Sequence, residues 1–259
     1  MRRRTLFAVA LSTTAVGALG AVGIGNASAA TLDPSLPPGG NFDLSVWSLQ
    51  LPTGSPGSPD TISPGQLKAG YTNPSFFWTD SNDGSMTFWA PEKGVTTPNS
   101  KYARSELREM NANGSAANWT LAGNHTLSAQ LRIVSVTKNV AVGQVKLGTG
   151  GPSTKPLAEL YYRPNGDIFF GTQNSPDASG QTLHKVGNVA VGTKWTYVIN
   201  VNGSKINLTV NGTRTTYTIP SAFNPYRQYF KAGSYNQSSS ESTTNGAKVK
   251  FYALTVKHA

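Results

Sequence analysis

The 259-residue sequence contains no cysteine. No disulfide can brace the fold, and no metal can be held through thiolate. A chain of this length can bury a core large enough to do without such a brace. Histidine is scarce as well. His125, His184 and His258 are the only three, and no H-x-H or H-E-x-x-H spacing joins them, which argues against a zinc site. Acidic residues number only 12 against 22 lysines and arginines. Helix signals are few. Ser63-Pro64, followed by Gln66, Leu67 and Lys68 and ended by Gly70, predicts one short helix with proline at its first position. Neither a sequence repeat nor a linker long enough to divide domains is present.

The N-terminal segment is set apart by composition. Arg2, Arg3 and Arg4 precede a weakly apolar stretch from Leu6 to Ile24 and the small-residue pattern Ala27-Ser28-Ala29. This predicts a secretory signal peptide over 1–29 and an extracellular protein. Glycine, serine and threonine interrupt the apolar run, which argues against a lasting membrane anchor. Arg3-Arg4-Thr5-Leu6-Phe7 loosely resembles a twin-arginine signal. Without those three arginines, 19 basic residues face 12 acidic ones, a net charge of +7. An exported chain this basic is expected to meet an anionic partner: nucleic acid, a membrane surface or an acidic polysaccharide.

The remaining residues, 30–259, read as short runs rich in Val, Ile, Thr, Tyr and Phe, punctuated by Gly, Asn and Pro. Val46 to Leu51, Met86 to Ala90, Thr126 to Val136 and Val249 to Val256 are strand candidates. Asn165-Gly166 predicts a hairpin between Glu159–Tyr162 and Ile168–Gly171. Asn202-Gly203 and Asn211-Gly212 join three further strands into a meander from Tyr197 to Ile219. Thr53 to Asp60 reads as a Pro/Gly/Ser loop, and Ser238 to Gly246 as a polar loop that could edge a cleft. One all-β domain follows: a two-sheet antiparallel sandwich, a jelly roll with a concave groove.

Three of these strands carry polar groups where a core strand would not. Side chains alternate with period two along a strand. Arg104, Glu106 and Arg108 therefore share a face, with Ala103, Ser105, Leu107 and Glu109 opposite. Gln144 and Lys146 share another, with Val142 beside them and Val145 and Leu147 opposite. Tyr229, Lys231, Gly233, Tyr235 and Gln237 form the third, and Gly233 leaves space where a ligand could approach the backbone. Charged strand faces are commonly solvated and hold surface ion pairs. Side by side on a concave sheet, these three would instead form a cationic groove floor. Two guanidinium forks held by Glu106 suit carboxylates. A tyrosine suits ring contact and proton transfer. A glycosidase would need two carboxylates across a cleft, and Glu106 is the only acid on the proposed floor. His125 and His184 could supply a base but read as surface or edge residues.

The segments R-S-E-L-R-E (104–109), Q-V-K (144–146) and Y-F-K-A-G-S-Y-N-Q (229–237) closely resemble, in this order, the three signature segments of polysaccharide lyase family 7 alginate lyases. W-S-L-Q-L-P (47–52) and N-S-K-Y (99–102) resemble earlier segments of that family. The resemblance implies a β-jelly roll acting on alginate or another polyuronate. The chain is expected to use no cofactor or metal, to bind neither nucleic acid, against which export and the lack of a known motif argue, nor membrane, and to act as a monomer. The resemblance also implies that Arg104 and Gln144 neutralise the substrate carboxylate and that Tyr235 transfers protons. Glu106, Arg108, Tyr229, Lys231 and Gln237 are then the supporting substrate-binding residues. One position departs: the family's middle motif reads Q-I-H or Q-V-H, and here Lys146 stands in place of the histidine. At its reference pKa a lysine is neutral only about once in 10³ at neutral pH. Lys146 is therefore either a base with a strongly lowered pKa or a fixed charge, and in the second case local cations would favour the Tyr235 phenolate. The fixed-charge case, and Val145 in the motif, favour mannuronate-type blocks. A related β-1,4-glucuronan, or non-catalytic binding of acidic glycans, are the alternatives.

Overall fold

The computed structural model describes residues 31–177 and 180–259, and the expected signal peptide lies outside them. Fifteen strands, numbered along the chain, form two antiparallel sheets. The first sheet has eight strands. In spatial order they are β10 (Gln181–Asn188), β9 (Asp167–Gln173), β8 (Pro156–Tyr162), β7 (Val140–Leu147), β14 (Gln228–Asn236), β5 (Arg104–Glu109), β1 (Trp47–Ser55) and β2 (Ser58–Ile62). The second has seven: β13 (Thr213–Thr218), β12 (Lys205–Val210), β11 (Lys194–Asn202), β6 (Asn124–Val136), β15 (Gly246–His258), β4 (Met86–Pro91) and β3 (Phe77–Thr79). Among the described residues no helix is long and apolar enough to cross a membrane.

Local chemistry explains most of these elements. The N-G pairs sit in the turns that join β8 to β9, β11 to β12 and β12 to β13, with Gly166, Gly203, Asn211 and Gly212 all at positive φ as such turns require. The predicted short helix spans Pro64–Lys68 and carries a full capping box: the Ser63 hydroxyl accepts from the Gln66 N–H while the Gln66 side chain accepts from the Ser63 N–H. Thr53 to Asp60 is not a loop. β1 and β2 continue into it and close as a hairpin at Gly57, whose φ is +79°. The loop after Gln237 is tied back through Ser238 and Ser240 to the Glu92 carboxylate and does not line the groove described below.

The core lies between the sheets. Leu49, Leu107, Val145, Phe230 and Phe170 of the first sheet meet Leu127, Leu131, Tyr197, Val249 and Phe251 of the second, all essentially without exposed surface. Burying each such side chain contributes about 1.5–3 kcal/mol. The alternation in β7 is broken once. Val140 and Val142 face the core, and so do Val145 and Leu147, so the pattern changes phase between Val142 and Gln144. The register to β8 shifts at the same place, between Ala141 and Gly143. This bulge corrects the expected placement of Val142 beside Gln144 and Lys146. Its cause is visible: Tyr197 of the opposite sheet donates its hydroxyl to the Val142 carbonyl at 3.0 Å, and a Cβ on Gly143 would stand 2.8 Å from that hydroxyl.

Candidate active site

The three polar strands are neighbours, with β14 between β7 and β5. Arg104 lies opposite Tyr235, Glu106 opposite Gly233, and Arg108 opposite Lys231. Across the other edge of β14, Lys231 lies opposite Gln144 and Tyr229 opposite Lys146. Sequence periodicity and tertiary pairing thus bring the predicted residues onto one surface.

Glu106 organises its centre. It has no exposed surface, and its carboxylate receives Arg104 Nη1 at 3.3 Å, Lys231 Nζ at 2.5 Å and the Gln144 amide. Two cations and an amide donor compensate a buried carboxylate that would otherwise be strongly unfavourable. Gly233 permits this approach. A Cβ there would stand 2.8 Å from both the Glu106 Cα and the Ser105 carbonyl oxygen, and its φ of +145° disfavours any side chain. The glycine makes room for β5 rather than for a ligand. Burial pushes Lys231 down to about 7, against the pull of Glu106 and with help from Arg104.

Arg104 continues the network towards solvent. Its Nη2 donates to Ser100 Oγ at 3.0 Å, and its guanidinium lies 3.7 Å from the Tyr235 ring centroid. The Tyr235 hydroxyl is 3.0 Å from the same Ser100 oxygen. Burial raises the Tyr235 phenol above its ordinary value, with Arg104 pulling the other way. The expectation that local cations would favour the phenolate is therefore reversed: desolvation dominates, and Tyr235 rests as a phenol.

Arg108 is not held by Glu106. Its Nη1 donates to the Glu109 carbonyl at 2.7 Å, and its guanidinium stacks 4.1 Å from the Tyr229 ring centroid. Glu106 fixes one guanidinium fork, not two. Lys146 donates to the carbonyl of Thr154, in the connection from β7 to β8. Burial lowers its pKa, while Glu159 opposes that shift and Arg104 adds to it.

Seven of the nine predicted site residues line one cavity of about 750 Å³: Arg104, Arg108, Lys146, Tyr229, Lys231, Tyr235 and Gln237. Glu106 and Gln144 lie beneath it with no exposed surface. Gln144 spends its donor on Glu106, and its Oε1 is buried without a partner. Both residues therefore support the floor from below instead of touching its occupant. Sequence reasoning missed Ser100 as the bridge between Arg104 and Tyr235. It also missed a second polar group on β8 and β10. There the Tyr161 hydroxyl donates to Glu159, Gln181 Nε2 donates to the same carboxylate at 2.8 Å, and Tyr161 and Gln181 approach to 2.9 Å. The period-two pair Glu159/Tyr161 was the available signal.

The histidines lie elsewhere. His184 is half-buried on β10, where it hydrogen-bonds Thr172. His125 is neither exposed nor at an edge: it is buried on the central strand β6, 2.7 Å from His258 and stacked on Trp119 at 4.2 Å between centroids. Neither lines the cavity.

A β-sandwich with an open cationic groove, floored by arginine, lysine and tyrosine, defines a class of protein built to handle acidic polysaccharide chains. The comparisons narrow that class. The family description "Alginate lyase" matches residues 42–258. An alginate lyase of Klebsiella pneumoniae is 30% identical over 280 residues, covering 85% of this chain and 91% of that protein. Among solved structures, alginate lyase A1-II', a member of polysaccharide lyase family 7, superposes with a TM-score of 0.78 at 33% identity, covering 86% of this chain and 98% of the other. Alginate lyase PA1167 from Pseudomonas aeruginosa gives 0.77 at 31% identity, covering 84% and 100%. The chain belongs to the alginate lyases of polysaccharide lyase family 7. It is thus an enzyme, which sets aside the non-catalytic reading.

Proposed function

We propose that this alginate lyase cleaves 1,4-linked mannuronate-type blocks by β-elimination, with Tyr235 as both base and acid and Lys146 as a fixed positive charge, outside the cell. Elimination removes the proton on C5 and expels the oxygen on C4. The C5 proton is barely acidic while the adjacent carboxylate keeps its charge. Arg104 supplies the positive potential that draws this charge off and stabilises the enolate-like transition state, joined by Lys231 while it keeps its proton, below about pH 7. Gln144 acts from below, through the Glu106 carboxylate that orients both cations.

One observation carries the choice of Tyr235 over Lys146 as base. Tyr235, Arg104 and Ser100 form a closed group, whereas Lys146 lies opposite Tyr229 and donates to Thr154. Six positions along β14 separate Tyr229 from Tyr235, so Lys146 enters the groove floor at a different point along the strand from Tyr235. A base and an acid serving one linkage must both reach it within hydrogen-bond distance. Lys146 is better placed to hold the carboxylate of a neighbouring sugar. In mannuronate the C5 proton and the C4 oxygen leave from one side of the ring, so a single tyrosine can serve both. Guluronate presents them on opposite faces and needs a second base. Tyr235 rests as a phenol, so it acts as base in the fraction that ionises, and activity is expected to rise towards alkaline pH. Structures of the relative A1-II' with the substrate GGMG and the product GGG support an oligosaccharide lying in the equivalent groove here.

The test is the rate of ultraviolet-absorbing unsaturated product from polymannuronate, polyguluronate and glucuronan. Preference for polymannuronate is expected, and clear preference for polyguluronate would refute the single-tyrosine scheme. Tyr235→Phe should lose about 10²–10⁴-fold in kcat, and Lys146→Arg should stay active. Export is tested separately by mass spectrometry of the N-terminus recovered from culture medium, expected after Ala29.

A further inference from the structure

Glu159 is an anomaly in a groove built for polyanions. It is an acid, 6% exposed, on the same face of the sheet as Lys146, and its Cα pairs with Gln144. Two neutral groups lock its position: the Tyr161 hydroxyl and the Gln181 amide, the latter at 2.8 Å. Among the described residues it forms no ion pair within contact distance, so none of its charge is spent on a bonded cation. A buried carboxylate held only by neutral donors projects its field onto what lies beside it. Lys146 lies diagonally across, two residues beyond Gln144.

The charges facing Lys146 from each neighbouring element are Glu159 on β8, Arg104 and Glu106 on β5, Lys231 on β14, and Lys155 in the connection to β8. Tyr229 also faces it, opposite on β14. Three cations and burial press Lys146 to lose its proton, and two carboxylates oppose them. Glu106 is already shared by Arg104 and Lys231. Glu159 is the acid left over.

We propose that Glu159 is a positioning residue for the lyase reaction: locked by Tyr161 and Gln181, it is the counter-charge that keeps Lys146 an ammonium among the groove's other cations. This rests on the reading of Lys146 as a fixed charge. It also explains how a lysine can stand where the family carries a histidine: the charge is maintained by an acid on the adjacent strand. Burial is what such an acid must overcome, and it does push Lys146 below its ordinary value.

The experiment is the pH profile of kcat/KM on polymannuronate for wild type and Glu159→Gln, each also in a Lys146→Arg background. Glutamine keeps the shape and can still accept from Tyr161 and Gln181. In the wild-type background one limb of the profile should move to lower pH by about one unit, the scale of one nearby opposite charge. Rates above that limb should fall. In the Lys146→Arg background the Lys146 limb should be absent, because a guanidinium does not titrate in this range, and Glu159→Gln should move no limb that remains. No shift in the wild-type background, or an equal shift in both backgrounds, overturns the proposal. An equal shift would assign the effect to Lys231 or Tyr235. If the limb moves but rates above it rise, Glu159 still sets the charge of Lys146, and Lys146 is a base; the single-tyrosine reading then fails alone. An inactive Lys146→Arg enzyme likewise defeats the single-tyrosine reading alone, with the Glu159→Gln shift judged by itself. Should Glu159→Gln fold poorly by thermal melt, Glu159→Asp keeps the charge but draws it back, and must shift the limb the same way by less. An unmoved limb there overturns the proposal.

Discussion

Strand β5 buries two carboxylates three residues apart, on opposite faces of one sheet. Glu106 lies under the groove and is balanced by charge: Arg104, Lys231 and the Gln144 amide. Glu109 points into the sandwich, and neutral donors hold its Oε2, the Trp119 indole N–H at 3.0 Å and the Phe230 backbone N–H at 2.7 Å; His258 Nε2 lies 2.5 Å from Oε1. The same side chain on the same strand serves two purposes. Under the groove it gathers cations that an anionic substrate can use. In the interior it ties β14, the Trp119 segment and the last strand together. What surrounds a carboxylate, not its identity, decides which role it takes.

The sharpest way to break this contrast is to neutralise each acid in turn. Glu106→Gln leaves Arg104 and Lys231 without their buried partner and should cost about 3–5 kcal/mol, together with most of the activity. Denaturant unfolding and product absorbance would measure the two losses. Glu109→Gln retains an oxygen that can accept from Trp119 and Phe230. It should cost only about 1 kcal/mol, the scale of one ordinary hydrogen bond, with activity kept. Equal losses from the two substitutions would abolish the distinction.

A smaller effect separates the two networks by pH. Lys231 falls from 10.5 to about 7 in the fold, chiefly by burial. Between those values the unfolded chain holds a proton that the folded chain lacks, so stability rises with pH across that window. His125, stacked beside the Glu109 cluster, is also lowered from 6.5, again mainly by burial. The unfolded chain then binds the extra proton below about 6.5, and stability falls as pH drops through that region. The slope of melting temperature against pH should therefore flatten on the alkaline side in Lys231→Met, Lys146 keeping a part of it, and flatten just below pH 6.5 in His125→Gln. A Lys231→Met protein whose alkaline slope is undiminished would remove Lys231 as a source of it.

Much of the molecule was legible before the fold was seen. The N-G turns, the capped helix at Ser63 and the alternation in β6, β11 and β12 are local, and local sequence specifies them. Arg104, Lys146, Lys231 and Tyr235 could be placed on one surface because polar side chains at period two have few other places to go. Most of the errors involve partners distant in sequence, the Thr53–Asp60 hairpin and the Arg108 bond to its neighbour Glu109 being local ones. Val142 turns inward because Tyr197 arrives from the other sheet. Arg108 leaves Glu106 for the Glu109 carbonyl. Gly233 admits β5, not a sugar. Gln181 joined the groove without any local mark of its own, while Ser100, in the N-S-K-Y segment, and Glu159, in period two with Tyr161, carried signals whose partners only the fold supplied.

The sequence by itself determined that this protein is an all-β sandwich with three polar strand faces and an excess of positive charge, because period-two patterning and turn chemistry act over a few residues. Only the tertiary structure decided which of those polar groups meet solvent, which lie beneath the floor and which acid stands beside Lys146. Burial and charge compensation depend on strands brought together from far apart in the chain, and they set both the orientation and the protonation of each group.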